Sequence, residues 1–219
     1  MFTRKSLHTW ILIVIVIFIF STLFLSNSTN IKENFILMIL QLASLVLACL
    51  SLKISRLYNF LLLFFISIPI VLISTFHGFF IQEIQLIAST MISVFFLILS
   101  FAILTQVIKS DHVDIHVLSG MVASFLLIGL SFASFYLSIY RVDNTAFSGI
   151  NPNQLTPWVD MIYFSFATIT TVGWGDIAAI NQLARIIAIF QAIIGVLFNA
   201  VVISRFATIF WVHRKTKNV

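Results

Sequence analysis

The chain has 219 residues, of which 61% are hydrophobic and 9% charged, against globular averages of about 45–50% and about 25%. Such a composition excludes a soluble globular domain, because apolar segments consume nearly the whole length and leave no room for a soluble catalytic or nucleotide-binding unit. The net charge of +5 is therefore no nucleic-acid signal, and its meaning lies in where the charges fall. Six segments approach or exceed the roughly 20 apolar residues that cross a bilayer core: residues 10–26, 35–52, 57–76, 86–108, 115–140 and 181–212, with polar joints between them.

If the N-terminus is cytoplasmic, the inner loops and tails carry Arg4, Lys5, Lys53, Arg56, Lys109, Arg214, Lys215 and Lys217, against Lys32 and Arg141 outside. Arg185 and Arg205 fall within the last segment. This asymmetry obeys the positive-inside rule and predicts six spans with both termini cytoplasmic in an integral protein of the cell membrane. The first segment has the basic start of a signal sequence, but its apolar core is longer than the usual 7–15 residues and Ser26-Asn27-Ser28-Thr29 is a poor cleavage site, so a retained anchor is expected. Cys49 lies within a span and, as the sole cysteine, is read as packing. Pro69 is expected to kink the third span. The fourth, residues 86–108, holds no Lys or Arg, whereas a voltage sensor moves several cationic side chains, each worth about 2.3 kcal/mol per 100 mV. Residues 1–110 are thus expected to be a four-helix, lipid-facing scaffold without voltage-sensor charges.

In the linker 109–116, His112 and His116 stand four apart near Asp111 and Asp114. Metal or proton sensing is one reading of that spacing, and an ordinary polar surface linker is the plainer one. The fifth span is followed by a polar loop, 141–156, holding Gly149 and Pro152. Thr156 has the chemistry of an N-cap, Pro157 suits a first helical position, and Asp160 favours the helix dipole, so 157–169 is expected to form a short helix. Tyr163, Phe164 and Phe166 would wedge it against its neighbours. Next comes Thr170-Thr171-Val172-Gly173-Trp174-Gly175-Asp176. Gly173 and Gly175 permit backbone angles that a Cβ would penalise, which lets neighbouring carbonyls face one axis, and Thr171 adds a hydroxyl below them.

This run, set between two spans and preceded by a short helix, resembles the filter of the potassium-channel pore family, and residues 111–219 resemble that family's two-helix pore module as found in small prokaryotic-type channels. Added to the six apolar spans, the resemblance, which covers roughly the last half of the chain, implies an all-α integral membrane fold of six transmembrane helices with one re-entrant pore helix and filter loop per chain, assembled as a homotetramer. It implies that potassium is coordinated at Thr171, Val172, Gly173 and Trp174, with Gly175 completing the filter and Thr170, Asp176 and Ala167 supporting it. Trp174 stands where the family usually has Tyr, whose ring packs outward against the pore helix while its carbonyl lines the pore. Ala167 stands where many members have a carboxylate that pairs with the filter Asp, and Ala179 replaces a common proline. Both changes are expected to tune gating at the filter.

In the same resemblance the pore helix directs its C-terminal carbonyls at a central cavity. Gly195 matches the glycine at which the inner helix can bend, and Asn199 faces the cavity on a stripe with Val196 and Ile203. Close helix packing at Gly195 and an interhelical hydrogen bond from Asn199 are the competing explanations. The expected partners are further copies of the chain and membrane lipid, with no nucleic acid, soluble substrate or cofactor beyond the transported potassium. No span carries paired catalytic groups, so no enzyme is expected. Weakly selective cation conduction and a non-conducting accessory or sensor subunit are the alternative functions. The segment after Val212 is expected to be too short for a ligand-gating module, so any gating ligand is expected to act at the pore, the membrane or a partner chain.

Overall fold

The computed structural model describes residues 12–13, 15–17, 81–110, 115–150 and 157–216. The expected second and third spans, with Cys49 and Pro69, lie outside these residues, as do most of the first span, the linker residues Asp111, His112 and Asp114, and Thr156. Among the described residues the order is α1 (Ile81–Ile108), α2 (Ile115–Val142), β1 (Phe147–Ser148), α3 (Trp158–Ile169), β2 (Ala178–Ala179) and α4 (Gln182–Thr216). Three helices among the described residues contain stretches long and apolar enough to cross a membrane, at Leu86–Ile108, Val117–Val142 and Gln182–Ser204, and α3 is a shorter apolar helix. The fourth expected span coincides with the first of these, and the fifth and last expected spans overlap the other two.

The pairing of α1 with α2 follows from the small polar residues along their seam. Lipid tails are as apolar as leucine, so membrane helices gain little from hydrophobic burial and associate through close packing and hydrogen bonds. Serine supplies both. Ser89 Oγ meets Ser138 Oγ at 2.8 Å, Ser131 Oγ donates to the Ser93 carbonyl at 2.8 Å, and Ser100 Oγ donates to the Ser124 carbonyl at 3.0 Å. Residue numbers rise along α1 as they fall along α2, so the helices run antiparallel. Phe95, Phe96, Leu99 and Ile103 of α1 fill the same seam with Met121, Leu127 and Leu130 of α2, and Ile15 joins them. The opposite stripe of α1, Ile87, Val94, Phe101 and Ile108, recurs every seven residues and is exposed.

Helix α3 is seated on α2 at a glycine. A side chain at Gly129 would meet the ring of Phe166 at 2.7 Å, so only glycine lets that ring lie flush. Farther along, Tyr136, Phe147 and Phe164 form three edge-on contacts with centroids 4.9–5.7 Å apart, a geometry favoured by the aromatic quadrupole. Phe164 and Phe166 therefore act as the expected wedges, while Tyr163 turns elsewhere. Pro157, expected at the first helical position, sits instead at the cap position of α3, which starts one residue later at Trp158; Pro157 has φ −64° and ψ −4° and no side-chain cap bond, and Asp160 lies in the first turn.

The loop after α2 is less irregular than its composition suggests. β1 pairs antiparallel with β2, Phe147 opposite Ala179 and Ser148 opposite Ala178, and the Ile180 amide donates to the Ala146 carbonyl at 2.7 Å. Two-residue strands carry no readable alternation, which hid them in the sequence. Their effect is to tie the loop after α2 to the segment that follows Asp176.

Candidate functional site

Every second residue from Thr171 to Gly175 adopts the left-handed region: φ is 61° at Thr171, 56° at Gly173 and 80° at Gly175, whereas Val172 and Trp174 stay at negative φ. Alternating handedness turns successive peptide units the same way, so that carbonyls collect on one side instead of alternating as in a strand. Two of the three positions are glycines, for which this is cheap. Thr171 is β-branched, and such a residue in this region stores on the order of 1–3 kcal/mol of strain, which persists only where surroundings enforce it.

The enforcement comes from the last turn of α3. The Thr170 amide donates to the Phe166 carbonyl at 3.1 Å, the Thr171 amide to the Thr168 carbonyl at 3.0 Å, and the Gly173 amide to the Ala167 carbonyl at 3.1 Å. Thr170 Oγ1 also donates to the Phe166 carbonyl at 2.6 Å. Ala167, singled out in the sequence for the carboxylate it lacks, thus contributes through its backbone. Residues 170–176 are all exposed in the single chain. Val172 and Trp174 line a groove of about 420 Å³ together with Ile162, Tyr163, Phe166 and Ala167.

Asp176 has a different partner from the one its family resemblance implies. The Tyr163 hydroxyl donates to Asp176 Oδ2 at 2.8 Å, and Oδ1 accepts from the Ile177 amide at 3.0 Å. The tyrosine, four residues before Ala167, reaches the carboxylate from the preceding turn of α3. Beside it, Gly149 has φ 83° and lies so close to the Asp176 carbonyl that a Cβ would overlap it. The loop after α2 therefore braces the end of the candidate filter through a contact that only glycine permits.

A second brace sits at the start of α4. Asp143 Oδ1 accepts from Thr145 Oγ1 at 2.6 Å and the Thr145 amide at 3.0 Å, and Oδ2 accepts from Asn181 Nδ2 at 3.1 Å. Asn181 Oδ1 in turn caps α4 by accepting from the Ala184 amide at 2.8 Å. The Thr145 hydroxyl, followed by Asn181, holds the Asp143 carboxyl below the usual carboxylate range. Arg185 Nε donates to the Ala179 carbonyl at 3.1 Å.

Of the inner-helix residues, Gly195 is a packing site: a Cβ there would collide with the Ile169 carbonyl at the end of α3, and α4 continues through it as one helix. Val196, Asn199 and Ile203 are exposed and share one stripe by their spacing of three and four. Sequence reasoning missed Tyr163 as a bonding partner, the Asp143–Asn181 brace and the buried Gln191. A glutamine in the middle of a largely apolar span is the signal that marks Gln191, since polar groups there need partners.

Comparison with known proteins places this geometry. Residues 121–212, which run from α2 through the candidate filter into α4, match the family model described as "Ion channel". Protein LctB of Bacillus caldotenax is 35% identical over 100 residues, covering 43% of this chain and 72% of that protein. Potassium channel K2 of Plasmodium berghei (strain Anka) is 34% identical over 121 residues, covering 51% of this chain and 8% of that protein. This chain therefore spans a small part of the Plasmodium protein and nearly three quarters of the Bacillus one. No solved structure matches significantly. The family match and the coverage of the Bacillus protein agree, and the chain belongs to the ion channel family of the potassium-channel type, an integral membrane protein and not an enzyme.

Proposed function

We propose that the chain is a potassium-selective channel whose filter is residues 171–175, four copies each supplying one strand. The observation that carries this reading is the alternation of backbone handedness at Thr171, Gly173 and Gly175, the arrangement that collects carbonyl oxygens on one side to replace the hydration shell of a cation. One strand cannot encircle an ion. A closed symmetric ring of copies can, and the exposure of residues 170–176 with the apolar face of α4 leaves surface for those copies to cover. α3 is then the re-entrant pore helix, with its carbonyl end lending negative charge to the cavity. Asn199, Val196 and Ile203 line that cavity below the filter.

The division falls into a four-helix region, 1–110, and a pore module, 111–219, with six spans and both termini cytoplasmic. Conduction needs no cofactor beyond the potassium carried. The uncharged fourth span gives at most shallow voltage dependence. Purified chain in liposomes tests the reading: potassium should leave far faster than sodium. Gly173→Asp, which puts a side chain at φ 56°, should assemble as the parent does and lower potassium flux by at least about tenfold. Parental flux through that assembled variant would end the filter assignment.

A further inference from the structure

Behind the proposed filter, one buried amide joins three helices. Gln191 of α4, Ser165 of α3 and Tyr136 of α2 are each fully buried. The Tyr136 hydroxyl donates to Gln191 Oε1 at 2.7 Å, and Gln191 Nε2 donates to the Ser165 carbonyl at 3.1 Å and to Ser165 Oγ at 2.7 Å. Ser165 Oγ donates in turn to the Gly129 carbonyl of α2 at 2.7 Å. Both polar atoms of the amide are engaged, and the bonds run from α2 through α4 and α3 back to α2.

Two neighbouring features connect this network to the filter. The carbonyls of Phe166, Ala167 and Thr168, immediately after Ser165, accept the amides of Thr170, Gly173 and Thr171, so any displacement of this turn of α3 reaches the filter backbone directly. Gly195 lies one turn beyond Gln191 on the same face of α4 and lets the helix rest against the Ile169 carbonyl. Helix α4 therefore holds α3 at two levels, by hydrogen bonds at Ser165 and by contact at Ile169. A strained Thr171 needs such a fixed support, because strain relaxes wherever its surroundings yield.

We propose that Gln191 is a positioning residue for conduction: by fixing Ser165 to α4 and to Tyr136 it sets the placement of α3 and so of the backbone at residues 170–173. The proposal rests on the potassium-channel reading above for its functional consequence. Its structural consequence is separately measurable. In an apolar span the simpler role for a glutamine is to join helices and raise the stability of the assembly. That role would leave the filter of a folded channel unchanged.

The test uses the purified full chain and two variants, Gln191→Met, which keeps the length and removes the amide, and Tyr136→Phe, which removes one hydroxyl. Amide hydrogen exchange over residues 170–173, the potassium-to-sodium permeability ratio in liposomes and the thermal stability of the assembly are measured on each. Gln191→Met should speed exchange and lower the permeability ratio by roughly tenfold each, as expected for a buried partner left unsatisfied. Tyr136→Phe should move both the same way by roughly threefold, since one bond is lost. If thermal stability falls while exchange and permeability stay parental, Gln191 only joins helices and the proposal is overturned. Should Gln191→Met not fold, parental exchange and permeability in Tyr136→Phe overturn it alone. A parent without potassium selectivity would defeat the functional reading, and the exchange measurement would still decide whether Gln191 positions residues 170–173.

Discussion

Helices α2 and α4 are of similar apolar character, yet 72% of the spanning stretch of α2 is buried within the chain and 11% of that of α4. The difference lies in where each finds its polar and small-residue partners. α2 meets α1 through Ser124, Ser131 and Ser138 and receives α3 at Gly129. Among the described side chains of α4 such contacts follow one narrow line, Ala184, Gln191 and Gly195, and much of the remaining surface is large and apolar, including Ile189, Phe190, Val196 and Leu197. The lesson is that, among the described residues, α2 is largely covered by its own chain whereas α4 is not. That is the expectation for a helix shared among copies around a common axis.

The sharpest way to break this contrast is at the line where α4 does touch its own chain. Gly195→Val would press a branched side chain into the backbone carbonyl of Ile169, which cannot swing aside, and overpacking of this kind costs about 1–3 kcal/mol. The assembly should lose thermal stability by that order and conduction with it. Unaltered stability would mean that α4 does not pack on α3 as described.

On the α2 side, Ser131→Ala removes both hydroxyl contacts with Ser93. Interhelical hydrogen bonds in membranes are worth about 0.6 kcal/mol on average and up to about 1.7, so a loss near 1 kcal/mol is expected by unfolding in mixed micelles. Potassium selectivity should be unchanged, because both hydroxyl contacts run between α1 and α2 and neither reaches α3. A change in selectivity would show that α1 does more than complete α2.

Asn199→Asp asks whether the open stripe of α4 faces water. Four partly ionised carboxylates in one confined cavity would repel each other and raise some of their pKa values, and even partial ionisation would attract multivalent cations. Voltage-dependent block by cytoplasmic magnesium or polyamines should strengthen by at least about tenfold, since a unit charge about 10 Å away at an effective dielectric near 20 is worth about 1.7 kcal/mol. Unchanged block in a conducting variant, with lowered assembly stability, would place Asn199 against another helix.

The smallest effect is expected at the outer brace. Ionised Asp143 is favoured by its bonds from Thr145 and Asn181, which lower its pKa in the folded chain. A carboxyl depressed on folding stabilises the fold above its unfolded pKa, and the contribution is lost as pH falls through the folded value. Protection of the Ile180 amide, which bonds to Ala146, should therefore persist through the ordinary carboxylate range and fail only in stronger acid. Asp143→Asn should weaken that protection slightly at neutral pH and remove its acid dependence. A parental acid profile in the variant would assign the transition to another group.

Much of this organisation is legible in sequence because it depends on local pattern. The three described spans follow from apolar length, α3 from Pro157 and Asp160 ahead of an aromatic run, and the candidate filter from two glycines two residues apart. What stayed hidden depends on contacts distant in sequence. Tyr163 reads as an aromatic wedge until its hydroxyl is found against Asp176, 13 residues on. The serines of α2 look like scattered small residues until α1 supplies their partners. Thr171 shows a hydroxyl in sequence, but its left-handed backbone emerges only once α3 has fixed the amides on either side of it.

The central claim is that residues 171–175 of several copies together form a carbonyl filter for potassium. Bi-ionic recording from planar bilayers holding only the purified chain, with potassium on one side and sodium on the other, addresses it directly. The account predicts a reversal potential displaced strongly toward the potassium equilibrium value, lost in Gly173→Asp. A reversal potential near zero, or conduction that survives Gly173→Asp unaltered, would contradict it.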